Sequence, residues 1–200
     1  MGALLSNFRN TVIVSVILAL VMVAAYAAGP QGTGPIFWEA VFRWLHVFFG
    51  ILWIGLLYYF NFVQIRVMPQ IPAELKPAVS KYIAPEALFW FRWAALLTVI
   101  MGLAIAGGRG YLAGVLSLGL MDGSNRQYLL LGIGMWLGIV MMLNVWGIIW
   151  PNQKRALGIV EADADTKAKS ARMAMLGSRT NLLLSIPMLT AMTMSQTIYG

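Results

Sequence analysis

The stretch that decides the fold is Arg43-Trp44-Leu45-His46-Val47-Phe48-Phe49-Gly50-Ile51-Leu52-Trp53-Ile54-Gly55, which places the only histidine of 200 residues inside an apolar run. Each residue of a helix turns about 100°. Within roughly 60° of His46 on one helix side lie Glu39, Arg43, Gly50, Trp53, Leu57, Asn61 and Gln64. Lipid cannot solvate this polar stripe, so we predict that it faces other helices, a cofactor or a water-filled cavity.

The composition is that of a protein with several membrane spans. Hydrophobic residues make up 60% of the chain and charged residues 10%, against about 25% charged residues in a soluble domain. A span needs about 20 apolar residues. The sequence therefore predicts an all-α integral membrane protein, residues 1–200 forming one bundle with five transmembrane helices at about 11–28, 37–63, 87–106, 128–150 and 181–199. Residues 66–85 are expected to be a stiff, proline-rich loop with at most one short helix, and 162–176 a separate helix on the membrane surface.

The basic residues predict the orientation. Ten of the fourteen Lys and Arg residues lie before the first span or in the loops after the second and fourth spans. Cytoplasmic loops carry such an excess, so we expect a cytoplasmic N-terminus and an outer C-terminus at Gly200. The net charge of +7 is then a topology signal, and no nucleic acid partner is expected. The absence of cysteine excludes disulfides, thiolate metal sites and covalent c-type haem, and a single histidine excludes a two-histidine site.

His46 has two interpretations from the residues alone. It could be the axial metal ligand of a b-type haem, with the sixth position open, filled by a methionine or filled from a partner chain. It could instead form a hydrogen bond with a neighbouring helix, for example with Glu39 or Asn144. Arg43 follows Glu39 by four residues, so the two could form a local ion pair, or Arg43 could bind a haem propionate or an anionic substrate.

Other polar residues also have two interpretations. Amides near the predicted cytoplasmic ends of the second and fourth spans could join these helices or bind the edges of a purine; they are Asn61, Gln64, Asn144, Asn152 and Gln153. Arg92, flanked by aromatic residues, could stack on a Trp, pair with a carboxylate or bind an anion. Gly134 and Gly138 are spaced for close helix packing.

Four blocks occur in order along the chain, at residues 44–64, 87–93, 144–154, and 178–181 with 185–188. Together they resemble the N-terminal membrane domain of bacterial membrane-bound urate oxidase (urate hydroxylase), from about residue 37 onward. The resemblance implies an oxidoreductase of the bacterial inner (cytoplasmic) membrane. Full-length members also carry further spans and a C-terminal cytochrome c domain, and this sequence contains no Cys-x-x-Cys-His.

We therefore expect a redox-linked membrane subunit that acts with a separate cytochrome c or quinone. The expected haem b site is built from His46, Arg43, Gly50 and Trp53. The expected substrate site is built from Asn61, Gln64, Asn144 and Arg92. The alternative is a non-catalytic accessory subunit that packs against other subunits of a larger membrane complex.

Overall fold

The computed structural model describes residues 2–30 and 32–199, so the predicted outer position of Gly200 lies outside the described residues. Within this part the chain is built from helices, without a strand, and five helices are long and apolar enough to cross a membrane. They are α1 (Phe8–Ala27), α2 (Pro35–Gln70), α3 (Lys76–Gly108), α4 (Arg126–Ala156) and α5 (Ala164–Tyr199). The prediction of an all-α integral membrane protein with five spanning helices is confirmed.

All five helices are longer than the predicted spans, and α1 differs least. At 1.5 Å per residue, the 36 residues of α2 extend over about 54 Å, compared with about 30 Å for the hydrocarbon core of a bilayer. The expected loop at 66–85 is wrong, because α3 begins at Lys76 with Pro77 in its first turn, where proline costs no hydrogen bond. The helix expected at 162–176 is present from Ala164 onward, but it is not separate, because it continues without a break into the fifth span as the first part of α5.

Three of the long helices contain a π-helical segment. The segments are Tyr59–Gln64 in α2, Val79–Ile83 in α3 and Val145–Ile149 in α4. A π turn closes with an i→i+5 hydrogen bond and therefore holds one residue more than an α turn. All three lie toward the end of the bundle that the basic residues predict to be cytoplasmic.

The core lies where α2 packs on α3 and α4 packs on α5. Three residues of the stripe predicted around His46 face the interior of the bundle, since Trp53, Leu57 and Asn61 are 1%, 0% and 3% exposed. Gly134 allows close approach of α5, since a Cβ there would lie 3.2 Å from side-chain atoms of that helix, whereas Gly138 has no neighbouring atom within 4 Å. The predicted close packing therefore holds for the first glycine only.

Buried amides tie α2 and α4 to α5. Asn144 Nδ2 donates to the Gly177 carbonyl at 2.8 Å and to Asn181 Oδ1 at 2.7 Å. Asn61 Nδ2 donates to Ser178 Oγ at 2.9 Å. The expected direct link between α2 and α4 is thus replaced by two links to α5, the helix that lies beside both.

Candidate functional site

His46 lies on α2 with its imidazole against α3. Its Nδ1 is 2.8 Å from the backbone oxygen of Thr98, and a carbonyl oxygen can only accept, so Nδ1 carries the hydrogen. The partner is this carbonyl rather than Glu39 or Asn144. Nε2 is left as the ring nitrogen for coordination, which is the arrangement that metal-ligating histidines take when their other nitrogen is held by a carbonyl.

Gly102 makes this contact between α2 and α3 possible. A Cβ at Gly102 would lie 3.0 Å from His46 Cε1 and 3.1 Å from Nδ1, closer than an ordinary van der Waals contact. On the facing helix, a Cβ at Gly50 would meet Thr98 Cγ2 at 3.8 Å. Gly102 therefore leaves the space that the imidazole fills. Gly50 lies opposite Thr98, whose carbonyl oxygen accepts the hydrogen bond from the imidazole.

A cavity of about 680 Å³ opens beside His46, between α2, α3, α4 and α5. Its size is within the range of ligand pockets, roughly 300–1,000 Å³. The walls are mostly apolar and include three methionines: Met135, Met188 and Met192. Trp53 also lines it, and its buried Nε1 has no hydrogen-bond partner among the described residues. The cavity therefore combines an apolar interior with one histidine in its wall.

An ionic network lies at one edge of this cavity. Glu39 accepts from Arg43 at 2.6 Å and from Arg109 at 2.9 Å, and Arg43 also donates to Gln196 at 2.9 Å. The ion pair expected from the spacing of Glu39 and Arg43 is present, while Arg109 and Gln196 join from the end of α3 and from α5. Nearby, burial raises the pKa of the Tyr111 phenol above its usual value. Two guanidinium groups share one carboxylate, so this edge has an excess of positive charge suited to an anionic group.

A second, smaller cavity of about 450 Å³ lies at the other end of the bundle. Its polar lining includes Gln64, Gln153, Lys76, Ser80 and Ser178. The Gln64 Oε1 atom is buried and has no hydrogen-bond donor in the described ranges. This cavity is distinct from the His46 cavity, since the two share no lining residue.

The structure does not bring the four expected substrate residues together. Gln64 lines the smaller cavity, whereas Asn61 and Asn144 are bonded to α5. Arg92 stacks on an aromatic ring of α4, with its Cζ 3.9 Å from the ring centroid of Trp150. By contrast, the four residues expected at a haem all line the larger cavity: His46, Arg43, Gly50 and Trp53.

Comparison with known proteins finds no match for this chain among protein families, curated proteins or solved structures. The resemblance to urate oxidase therefore stands on the four sequence blocks alone.

Proposed function

We propose that this chain is an electron-transfer subunit of a membrane oxidoreductase and binds one b-type haem beside His46. The observation that carries the proposal is the hydrogen bond from His46 Nδ1 to the Thr98 carbonyl in the wall of a 680 Å³ cavity. That bond selects the tautomer in which Nε2 is unprotonated and able to bind iron. A bound haem supplies one-electron redox chemistry.

The other residues of the cavity suit such a group. Arg43, at the charged edge, would bind a propionate through its guanidinium. The methionines of the wall would offer a thioether to hold the group together with His46. In the described part of the chain no group of three His, Cys, Asp or Glu side chains could hold a metal ion.

The proposed partner is an extracytoplasmic cytochrome c. The excess of Lys and Arg at the opposite end of the bundle predicts that the charged edge with Glu39, Arg43 and Arg109 faces outward from a bacterial inner membrane. Electrons from the haem would then leave on that side. The four sequence blocks favour urate as the electron donor, and a quinone is the alternative partner.

The test is a reduced-minus-oxidised absorption spectrum of the full chain purified after expression with haem supplied. The wild-type protein is expected to show b-type haem bands, and His46→Ala to lose them. Phe48→Leu is the matched control, because Phe48 lies on the same helix, is 53% exposed and does not line the cavity. Intact wild-type protein without any haem band would refute the haem proposal. Urate consumption by membranes that contain the protein tests the substrate separately.

A second candidate function is a non-catalytic accessory subunit in a larger membrane complex. It is favoured by α1, which has no buried residue and lies apart from the core formed by the other helices. A spanning helix that buries none of its residues in its own bundle is able to pack against another membrane polypeptide. Native electrophoresis in mild detergent tests this, and migration of the protein as a free small particle would count against it.

A further inference from the structure

Two cationic side chains lie over one indole ring, away from both cavities. The Arg92 Cζ atom of α3 is 3.9 Å from the ring centroid of Trp150, and Lys154 Nζ is 5.7 Å from the same centroid. Both distances are within the roughly 6 Å over which cation–π attraction acts. In residues 2–30 and 32–199 the only carboxylate that forms an ion pair is Glu39, so neither cation has a counterion there.

This arrangement leaves positive charge uncompensated. Like charges that share one ring repel each other, and the repulsion grows where the membrane lowers the local dielectric constant. Cation–π contacts with Trp150, and of Arg92 with the Phe89 ring at 5.2 Å, offset part of that cost but supply no negative charge. Arg92 and Lys154 are both partly exposed, so an anion from outside the chain can reach them. A phosphate group bound beside Trp150 would supply the missing charge.

The surroundings indicate that the phosphate belongs to a lipid. Phe89, Trp90 and Trp93 on the same part of α3 are 42%, 48% and 40% exposed. Aromatic side chains concentrate at the level of the lipid headgroups, where they contact both headgroups and acyl chains. A free phosphate ion would leave this apolar surface uncovered, whereas the acyl chains of a phospholipid would lie along it.

We infer that Arg92, Lys154 and Trp150 form a binding site for the phosphate of an anionic phospholipid. Basic pockets between spanning helices on the cytoplasmic side bind such headgroups, and this site lies at the end of the bundle that the basic loops predict to be cytoplasmic. The site is independent of the haem proposal, because it shares no residue with the His46 cavity.

The test is native mass spectrometry of the full chain, titrated in detergent with phosphatidylglycerol or with phosphatidylcholine of the same acyl chains. The wild-type protein is expected to retain phosphatidylglycerol preferentially. Each of Arg92→Gln and Lys154→Gln is expected to lower that affinity about fivefold, and the double variant roughly 25-fold, as for basic residues near an anionic membrane surface.

Arg155→Gln is the matched control, because it removes the same charge from an exposed neighbour that is not one of the two cations over Trp150. An equal loss of affinity in Arg155→Gln would show a diffuse charge effect and overturn the site. Displacement of the lipid by inorganic phosphate at similar concentration would overturn the assignment to a lipid. If Arg92→Gln unfolds the protein, Lys154→Gln at the end of α4 decides alone, and unchanged phosphatidylglycerol affinity there refutes the inference.

Discussion

Replacing Gly102 with alanine should disturb His46 directly. The new Cβ would lie 3.0 Å from His46 Cε1, so the imidazole must move by a few tenths of an ångström, away from the position that gives the 2.8 Å bond to the Thr98 carbonyl. Overpacking of this kind costs about 1–3 kcal/mol. Gly107→Ala is the matched control, because Gly107 lies on the same helix and has no atom within 4 Å of its added methyl group.

Alanine gains at most about 1 kcal/mol of helix propensity over glycine at either position, and less in the last turn, where Gly107 lies, so a lower stability of Gly102→Ala reports the contact with His46. We expect Gly102→Ala to have a free energy of unfolding about 1–3 kcal/mol below that of Gly107→Ala, measured by SDS titration in mixed micelles. Because the chain has one histidine, ¹⁵N-histidine labelling gives the ring resonances of His46 alone. Equal stability of the two variants, with unchanged ring resonances in Gly102→Ala, would refute the reasoning.

Further changes test other contacts. Asn181→Ala removes a fully buried amide that bonds α4 and should destabilise the protein by about 1 kcal/mol in the same titration. Gly134→Ala should lower the melting temperature and Gly138→Ala should not, because only the first meets atoms of α5, at 3.2 Å. The Thr166 amide holds the pKa of Asp163 below its usual value. Hydrogen-exchange protection of the first turn of α5 should therefore be full above that usual pKa and should fall as the pH drops through the lowered pKa. Protection that does not change with pH would contradict this.

Helix periodicity predicted the inward face of α2 because the rotation per residue is fixed. Trp53 and Asn61 follow His46 at intervals that return to the same side, and both are buried. The same rule could not identify the acceptor for His46, because every residue has a backbone carbonyl and none carries a sequence signal. Gly102 had a signal, a small residue in an apolar helix, but nothing in the sequence pairs it with His46.

The charged edge of the cavity depends on contacts between distant parts of the chain. Spacing along one helix predicted that Glu39 pairs with Arg43, since residues four apart lie side by side. Arg109 and Gln196 join them because α3 and α5 run antiparallel to α2 and end beside its beginning. Local spacing cannot show this, although the topology of five successive spans could have placed all four residues at the same end.

The number of residues in each π-helical segment, and not their identity, sets the direction in which the side chains after the segment point. One additional residue in a turn rotates everything after it by about 100°. Trp150 follows directly after the segment Val145–Ile149. Deleting any one residue of that segment would leave the composition of α4 nearly unchanged, yet would swing Lys154 and the indole ring out of alignment with Arg92. An insertion or deletion in this part of α4 would therefore disrupt the contact with Arg92 even where substitutions at the same positions would not.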